Sequence, residues 1–220
     1  MEKQQLQLEH QYRASNLNDP KNAPLIIMLH GYGSDENDLF SFASELPSKY
    51  AIISLKAPYG LNPHGNAWYA IHFDNVDGKW SDDNQAINSR DRVVSVINEI
   101  IEKYPVDENN ITLLGFSQGT ILGLSIALSY PKKIKNIIGL SGYVNEGILK
   151  EDYHKNDFKN LNIYSSHGTL DQVIPVEWAR KTKHFLSNIV PDLTYNEFPV
   201  GHGVSPQNFY DFKNWLEKHS

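Results

Sequence analysis

Short apolar runs alternate along this chain with longer segments of helical period, and this alternation limits the possible folds more than any other feature. The apolar runs occupy residues 25–29, 51–55, 111–114, 137–140 and 161–164. Several are apolar at consecutive positions, which is typical of parallel strands that are covered on both faces. Strands that alternate with helices predict βαβ units with right-handed crossovers. We therefore predict an α/β fold with a mostly parallel central sheet and helices on both faces.

Helical segments lie between these apolar runs. Residues 83–104 carry apolar side chains at mixed spacings of three and four, and Pro105 follows them. Further helices are expected at residues 37–49, 118–130, 176–189 and 206–219, a last strand at 193–198, and an edge strand within residues 6–12. Residues 57–82 and 142–160 are expected to be long irregular loops, which are usually functional at that length. No repeat or linker is visible, so we expect a single domain over residues 1–220 without a large cap domain.

Composition argues against several classes of function. The net charge of −6 disfavours nucleic acid or an anionic membrane as the main partner. The absence of cysteine excludes disulfides, thiolate zinc sites and a cysteine nucleophile. No stretch approaches the roughly 20 apolar residues of a membrane span, and the amino terminus shows no signal peptide. We expect a cytoplasmic protein without stable membrane insertion, and a homodimer stays open.

A serine stands between the strand at 111–114 and the helix expected from residue 118, in Gly115-Phe116-Ser117-Gln118-Gly119. Ligands of parallel α/β sheets bind at the carboxyl ends of the strands, so the Ser117 side chain should stand at that edge. A tight strand-to-helix turn strains the serine backbone and requires small residues two positions before and after it. The pattern alone also arises by chance, so its strand-turn-helix context carries the prediction that Ser117 is a nucleophile.

A serine nucleophile needs a base, and the base needs an orienting acid. In this fold these partners follow in the order serine, acid, histidine, each on a loop after a later strand. Asp171 follows the strand at 161–164, and His202 stands between two glycines after the last strand. We predict that Asp171 orients His202, and that His202 accepts the Ser117 proton and later returns it to the leaving group.

Other residues compete for these roles. The chain has nine histidines, and a loop histidine is usually solvated or structural. His167 lies in a similar loop, but it precedes the acid and is expected to brace that turn. Asp171 itself has an alternative role as a cap for the helix at 176–189. Asp192, its nearest rival, stands before its strand and therefore at the wrong edge of the sheet.

An oxyanion hole needs two backbone N–H donors, one from the residue after the nucleophile and one from the loop after an early strand. Gln118 supplies the first donor. The strand at 25–29 runs into His30-Gly31-Tyr32-Gly33, whose glycines would let the N–H of Tyr32 turn inward. The alternative is a plain glycine turn. Each such donor typically lowers the reaction barrier by about 3 kcal/mol.

Residues 59–73 are aromatic and irregular, and they follow the strand at 51–55 at the same edge as Ser117. We predict that Trp68, Tyr69 and Phe73 bind substrate as a hydrophobic wall for its acyl or alcohol group. The alternative is that Trp68 and Phe73 cover the core beneath a long loop.

The segments at 30–33, 115–119, 167–175 and 201–203 together resemble the phospholipase/carboxylesterase family of α/β hydrolases, over about residues 24–215. The resemblance implies an α/β-hydrolase fold and hydrolysis of small-molecule carboxylic esters through an acyl-enzyme, with no metal or organic cofactor. Ser117, Asp171 and His202 match the family's triad, while Tyr32 and Gln118 match its oxyanion donors. Two features depart from the pattern: Tyr32 replaces a leucine usual in the thioesterase-like relatives, and residues 68–73 match a Trp-aromatic-Asp segment only in part.

Three classes of function compete. A serine esterase for short to medium acyl chains is the preferred hypothesis, with acyl thioesters or lysophospholipids as alternative substrates. A peptidase or an interfacial lipase on the same scaffold is disfavoured, because neither a cap domain nor a long amphipathic lid is evident. A non-catalytic binding protein would lack part of the triad, whereas all three residue types are present here.

Overall fold

The structure is a computed structural model that describes residues 2–74 and 78–220, with side chains described for residues 2–72 and 81–220. The strands are β1 (His10–Arg13), β2 (Leu25–Leu29), β3 (Ala51–Leu55), β4 (Tyr59–Gly60), β5 (Asn66–Ala67), β6 (Ile71–Asp74), β7 (Gly78–Ser81), β8 (Ile111–Phe116), β9 (Asn136–Leu140), β10 (Asn162–Gly168) and β11 (Asp192–Phe198). The α-helices are α1 (Asp83–Lys103), α2 (Gln118–Ser129), α3 (Val176–Ser187) and α4 (Pro206–His219).

Seven of these strands form one central sheet in the order β1-β3-β2-β8-β9-β10-β11. Strand β1 pairs antiparallel with β3, and every other neighbouring pair of this sheet is parallel. The predicted α/β architecture with a mostly parallel sheet is thus confirmed. The carboxyl ends of six parallel strands meet at one edge, where the loops after β2, β8, β10 and β11 converge.

Both faces of the sheet are covered, which explains the consecutive apolar residues of its strands. On β2, Leu25, Ile27 and Leu29 belong to one hydrophobic cluster, while Ile26 and Met28 belong to a second cluster on the opposite face. Helices α1, α2 and α3 contribute to the first cluster and α4 to the second. Alternate side chains of a strand point to opposite faces, so a strand covered on both faces must be apolar throughout.

The helix expected at residues 37–49 is wrong, because only Leu39–Ser44 is helical, as a short 3-10 helix. An α-helix through this segment would require the amide of residue 47 to donate to the carbonyl of Ala43. Residue 47 is proline and has no amide hydrogen. The Arg13 guanidinium instead donates hydrogen bonds to the carbonyls of Ala43 and Pro47. The carbonyl of Ala43 thus receives from Arg13 the hydrogen bond that residue 47 cannot donate.

The two segments expected to be irregular contain short elements that build the site. Within residues 57–82, β4 pairs with β5 and β6 pairs with β7 as two antiparallel hairpins, which corrects the expectation of a long irregular loop. Residues 142–160 contain two short 3-10 turns, Glu146–Ile148 and Tyr153–Lys155. Both segments emerge at the carboxyl edge of the sheet, beside Ser117.

Candidate active site

Ser117 occupies the sharp turn between β8 and α2, with φ +53° and ψ −117°. This left-handed region is costly for a residue with a side chain. A Cβ atom on Gly119 would lie 1.9 Å from the carbonyl oxygen of Leu29, and one on Gly115 would lie 2.6 Å from the Gly119 backbone. Both positions therefore require glycine, because neighbouring backbone atoms leave no room for a side chain.

Three side chains that are distant in the sequence lie in a hydrogen-bonded row at this turn. The Ser117 Oγ is 2.9 Å from Nε2 of His202, and Nδ1 of His202 is 2.6 Å from Oδ2 of Asp171. The carboxylate can only accept, so Nδ1 carries the proton and Nε2 is left as the acceptor for the serine hydroxyl. The imidazole keeps 17% of its side-chain surface exposed, whereas the carboxylate is fully buried.

The Asp171 carboxylate is also held from its other side. Its Oδ1 accepts hydrogen bonds from the amides of Val173 and Ile174, at 2.8 Å and 2.9 Å. Burial by itself would raise the pKa of Asp171, but the hydrogen bonds from His202 and from these two amides outweigh it and lower the pKa below its ordinary value. The carboxylate therefore stays ionised and fixes the orientation of the imidazole.

His167 and Asp192, which competed for the base and acid roles in the sequence analysis, make other contacts. His167 is buried, and its Nε2 is 2.9 Å from the carbonyl oxygen of Ile174 and 3.3 Å from Oδ2 of Asp171. It thus braces the turn that carries the acid. Asp192 begins β11 at the opposite end of the sheet and lies 3.3 Å from Nε2 of His219.

Two backbone amides flank the serine. The amide of Gln118 is the first of α2 and therefore has no partner within that helix. A Cβ atom on Gly31 would lie 3.4 Å from Cβ of Ser117, so the turn after β2 passes directly beside the serine. Among the described residues, no backbone acceptor is found for the amide of Tyr32. Both amides are thus free to bind an oxygen atom near Ser117.

The structure places Trp68 in the core, which corrects its expected position in a substrate wall. Its side chain is fully buried, and its indole N–H donates to the carbonyl of His30 at 2.9 Å. Its backbone N–H donates to Oε1 of Gln118 at 2.8 Å, and Nε2 of Gln118 donates to the carbonyl of Tyr69 at 2.8 Å. Trp68 therefore connects the residue after the serine to the turn after β2.

The buried side chain of His30 stabilises the turn after β2 by hydrogen bonds. The sequence analysis did not identify His30 as a site residue. The amide of Ala57 donates to its Nε2 at 3.0 Å, so its Nδ1 carries the proton and donates to the carbonyl of Gly31 at 2.8 Å. Burial lowers the pKa of His30, which favours the neutral ring that this pair of bonds requires. The available signal was its position directly after an apolar strand and before Gly31.

A cavity of about 260 Å³ opens at the serine. Tyr69 lines it, as expected, together with the side chains of Ile71, Ile121 and Ile174. Trp68 is not among the described residues that line it. Phe73, the third residue expected to bind substrate, has a side chain that lies outside the described residues.

Among the side chains of residues 2–72 and 81–220, no group of three or more histidines, aspartates or glutamates is arranged to hold a metal ion. Over the same residues, none of the helices combines the length and apolar character needed to cross a bilayer.

Comparison with known proteins decides the family. A family model described as Phospholipase/Carboxylesterase matches residues 13–220, which is nearly the whole chain. The chain belongs to the phospholipase/carboxylesterase family. The predicted family resemblance is thus confirmed, and members of this family are serine hydrolases.

Individual relatives of this family member carry two kinds of name. A protein of Oryza sativa subsp. japonica named a probable carboxylesterase is 27% identical over 212 residues, covering 90% of this chain and 79% of the relative. Acyl-protein thioesterase 1 of Saccharomyces cerevisiae is 28% identical over 211 residues, covering 88% of this chain and 91% of the relative. Both names indicate hydrolases of esters. One names a carboxylesterase and the other a thioesterase, so the relatives differ in the type of ester.

The crystal structure of the Bacillus cereus carboxylesterase superposes on this family member with a TM-score of 0.83. The two chains are 19% identical, and the match covers 97% of this chain and 95% of the other. At that identity the likeness shows the α/β-hydrolase fold, which confirms the fold class.

Proposed function

We propose that this protein is a serine esterase that cleaves carboxylic esters of short to medium acyl chain. The observation that carries the proposal is the position of the His202 ring, within 2.9 Å of the Ser117 hydroxyl on one side and 2.6 Å of the Asp171 carboxylate on the other. A base held in this way between a nucleophile and an orienting acid is the arrangement that acyl transfer requires.

The proposed reaction begins when Nε2 of His202 accepts the hydroxyl proton of Ser117 and Oγ attacks the ester carbonyl carbon. The carbonyl oxygen becomes an oxyanion, which the amides of Tyr32 and Gln118 stabilise. The carbon–oxygen bond to the alcohol then breaks, His202 donates its proton to the departing oxygen, and an acyl-enzyme remains. A water molecule gives its proton to His202 and attacks the acyl carbon. The bond between the acyl carbon and Oγ of Ser117 then breaks, His202 returns the proton to Oγ, and the acid leaves.

The cavity at Ser117 supports the proposed substrate size. Its volume of about 260 Å³ lies just below the roughly 300–1,000 Å³ of most small-molecule sites. The apolar side chains of Ile71, Ile121 and Ile174 line it, and each buried methylene of an acyl chain contributes about 0.8 kcal/mol. A short or medium chain would gain from this lining, while a long chain would have to extend beyond it.

An acyl-thioesterase is the second candidate function, because the relatives named acyl-protein thioesterase cover most of this chain. The two candidates use the same nucleophile and differ in the leaving group. Paired p-nitrophenyl and thioester substrates with one acyl group separate them. We expect the ester series to have the higher kcat/KM, with a maximum at short to medium acyl chains.

Substitution of the nucleophile tests the proposal directly. Ser117→Ala should abolish both the hydrolysis of p-nitrophenyl butanoate and labelling by a fluorophosphonate probe, because both require the serine oxygen. Ser125→Ala is the matched control, since Ser125 lies on the helix that follows Ser117, is buried, and donates to the Leu122 carbonyl at 2.7 Å. Undiminished probe labelling in Ser117→Ala would show that another nucleophile acts.

A further inference from the structure

A second, larger cavity adjoins the cavity at Ser117. Its volume is about 540 Å³, and the side chains of Ser81, Tyr143 and Trp178 line both cavities. We call the cavity at Ser117 the inner cavity and the larger one the outer groove. The rings of Tyr143 and Trp178 meet edge to face with centroids 4.9 Å apart. The two spaces therefore adjoin, and this ring pair forms a boundary that they share.

This boundary is fixed to the scaffold on both sides. Tyr143 lies in the loop after β9 and Trp178 in the first turn of α3, and the amide of Val144 donates to Oγ1 of the buried Thr182 at 2.9 Å. That hydrogen bond ties the loop to the helix. The ring pair consequently has a defined position between the two cavities.

The two spaces differ in polarity. Beside Ser117, Gln118 and His202, the inner cavity is lined by three isoleucines and is the more apolar of the two. The charged residues Glu146 and Lys181 and the amide of Asn145 line the outer groove alone, together with the apolar Val144 and Phe185. An ester of a polar alcohol has an apolar acyl part and a hydrogen-bonding alcohol part. Burying the alcohol hydroxyls in the apolar cavity would leave them unsatisfied, which costs free energy. The polar part fits the outer groove.

The position of the general acid leads to the same arrangement. His202 must donate its proton to the departing alcohol oxygen, so the alcohol has to leave on the side of this ring. His202 contacts Asp171, in the loop that runs directly into α3, and α3 supplies Trp178, Lys181, Thr182 and Phe185 to the outer groove. The groove therefore extends along the element that follows the acid loop.

We propose that the outer groove is the leaving-group subsite, which binds the alcohol part of esters formed with polar, multiply hydroxylated alcohols while the acyl chain occupies the inner cavity. This inference rests on the proposed esterase function and assigns its substrate class. The inner cavity and the outer groove together fall within the usual volume range of small-molecule sites, although the inner cavity alone does not.

Filling the outer groove tests the subsite. Lys181→Trp places a bulky side chain in the groove from an exposed position on α3 that does not line the inner cavity. We expect the ratio of kcat/KM for a glucose butanoate ester to that for ethyl butanoate to fall about tenfold, which corresponds to about 1.4 kcal/mol of lost binding. The order of preference among ethyl acetate, butanoate and octanoate should be retained.

A matched variant separates this effect from a general one. Lys183→Trp makes the same change two residues along α3, where the ammonium group lies 5.2 Å from the centre of the Tyr195 ring and lines neither cavity. Its ratio for the two butanoate esters should stay within about twofold of the original protein. If Lys181→Trp does not unfold cooperatively, Glu146→Trp fills the groove from the opposite wall and carries the same expectation.

Two outcomes would overturn the subsite. One is an unchanged ratio in a folded, groove-filled variant. The other is a shift of the ethyl ester series toward shorter acids with the alcohol ratio unchanged, which would place the acyl chain in the outer groove. Failure of the esterase proposal looks different, because the original protein would then hydrolyse no ester and the probe would not label Ser117.

Discussion

At the scale of single residues, the backbone of Ser117 is held in a conformation that its own side chain disfavours. Such strain costs on the order of 1–3 kcal/mol and persists only where the surroundings enforce it. Here the amide of Ser117 donates to the carbonyl of Leu140 at 2.9 Å, and Gly119 lets α2 pack directly against the end of β2. The position of Ser117 at the cavity thus depends on Gly119, which is not among the described residues that line that cavity.

Replacing that glycine should destabilise the fold. In Gly119→Ala the new methyl group would lie 1.9 Å from the carbonyl oxygen of Leu29, so α2 or β2 must shift. Overpacking of this kind typically costs about 1–3 kcal/mol or more. Urea unfolding should show this loss. Gly60→Ala is the control, because no atom of the described residues beyond its two chain neighbours lies within 4 Å of its added Cβ. Equal stability of the two variants would contradict the argument.

Trp68 should act on the reaction through the turn that carries Tyr32. Trp68→Phe keeps an aromatic ring but removes the donor to the His30 carbonyl. Because this turn carries Tyr32, whose amide we propose as an oxyanion donor, we expect kcat to fall about tenfold or more with little change in KM, as for an interaction made in the transition state. Trp215→Phe is the control, since the buried Trp215 indole N–H has no partner among the described residues. Equal kcat values for the two variants would contradict a positioning role.

At the scale of elements, the loop between β10 and α3 is organised by one carboxylate. Asp171 closes the turn through the amides of Val173 and Ile174, and through the same turn it orients His202. The alternative weighed in the sequence analysis, a cap for the helix at 176–189, is wrong, because the residue at the N-cap of α3 is Pro175 and no side chain caps that helix end. Asp171 instead accepts hydrogen bonds within the turn before the helix and contacts His202. We expect the contribution of Asp171 to stability to depend on pH.

Because the pKa of Asp171 is lowered on folding, its ionised form stabilises the protein above the unfolded value of about 3.9. This contribution is lost as the pH falls through the still lower folded value. The difference in unfolding free energy between the original protein and Asp171→Asn should therefore be largest near neutrality and shrink below about pH 4. Urea unfolding across this range measures it, and a pH-independent difference would contradict the assignment.

The same variant should lose nearly all activity at neutral pH. An asparagine that keeps its oxygen on the amides of Val173 and Ile174 turns its NH2 group toward His202 and cannot accept a hydrogen bond from Nδ1–H. This change in a Ser-His-Asp triad lowers kcat by about 10⁴.

At the scale of the whole molecule, parallel strand direction is what assembles the site. The loops after β2, β8, β10 and β11 carry Tyr32, Ser117, Asp171 and His202, and all four strands end at the same edge of the sheet. The segment after β3, the loop after β9 and helix α3 then add walls of the two cavities at that edge, through Tyr69, Ile71, Tyr143 and Trp178 among others. Scaffold and walls thus come from different parts of the chain.

The sequence by itself determined the strands of the central sheet, the loops that follow them and the residues expected to meet there, but not the two hairpins within residues 57–82. These features follow from local patterns, because a strand buried on both faces must be apolar throughout and a tight strand-to-helix turn admits only small neighbours. The failure of the helix expected at 37–49 could also have been predicted locally, from Pro47. The structure that forms there instead depends on hydrogen bonds from Arg13, which lies in β1.

Only the tertiary structure decided that Trp68 belongs to the core while Tyr69 lines the cavity. The two are adjacent aromatic residues with the same local signal, and their different positions are set by Gln118 and His30, which lie far from them in the chain. The same holds for the boundary formed by Tyr143 and Trp178. Cavities are bounded by side chains that meet across distant segments, and a local sequence pattern does not encode those contacts.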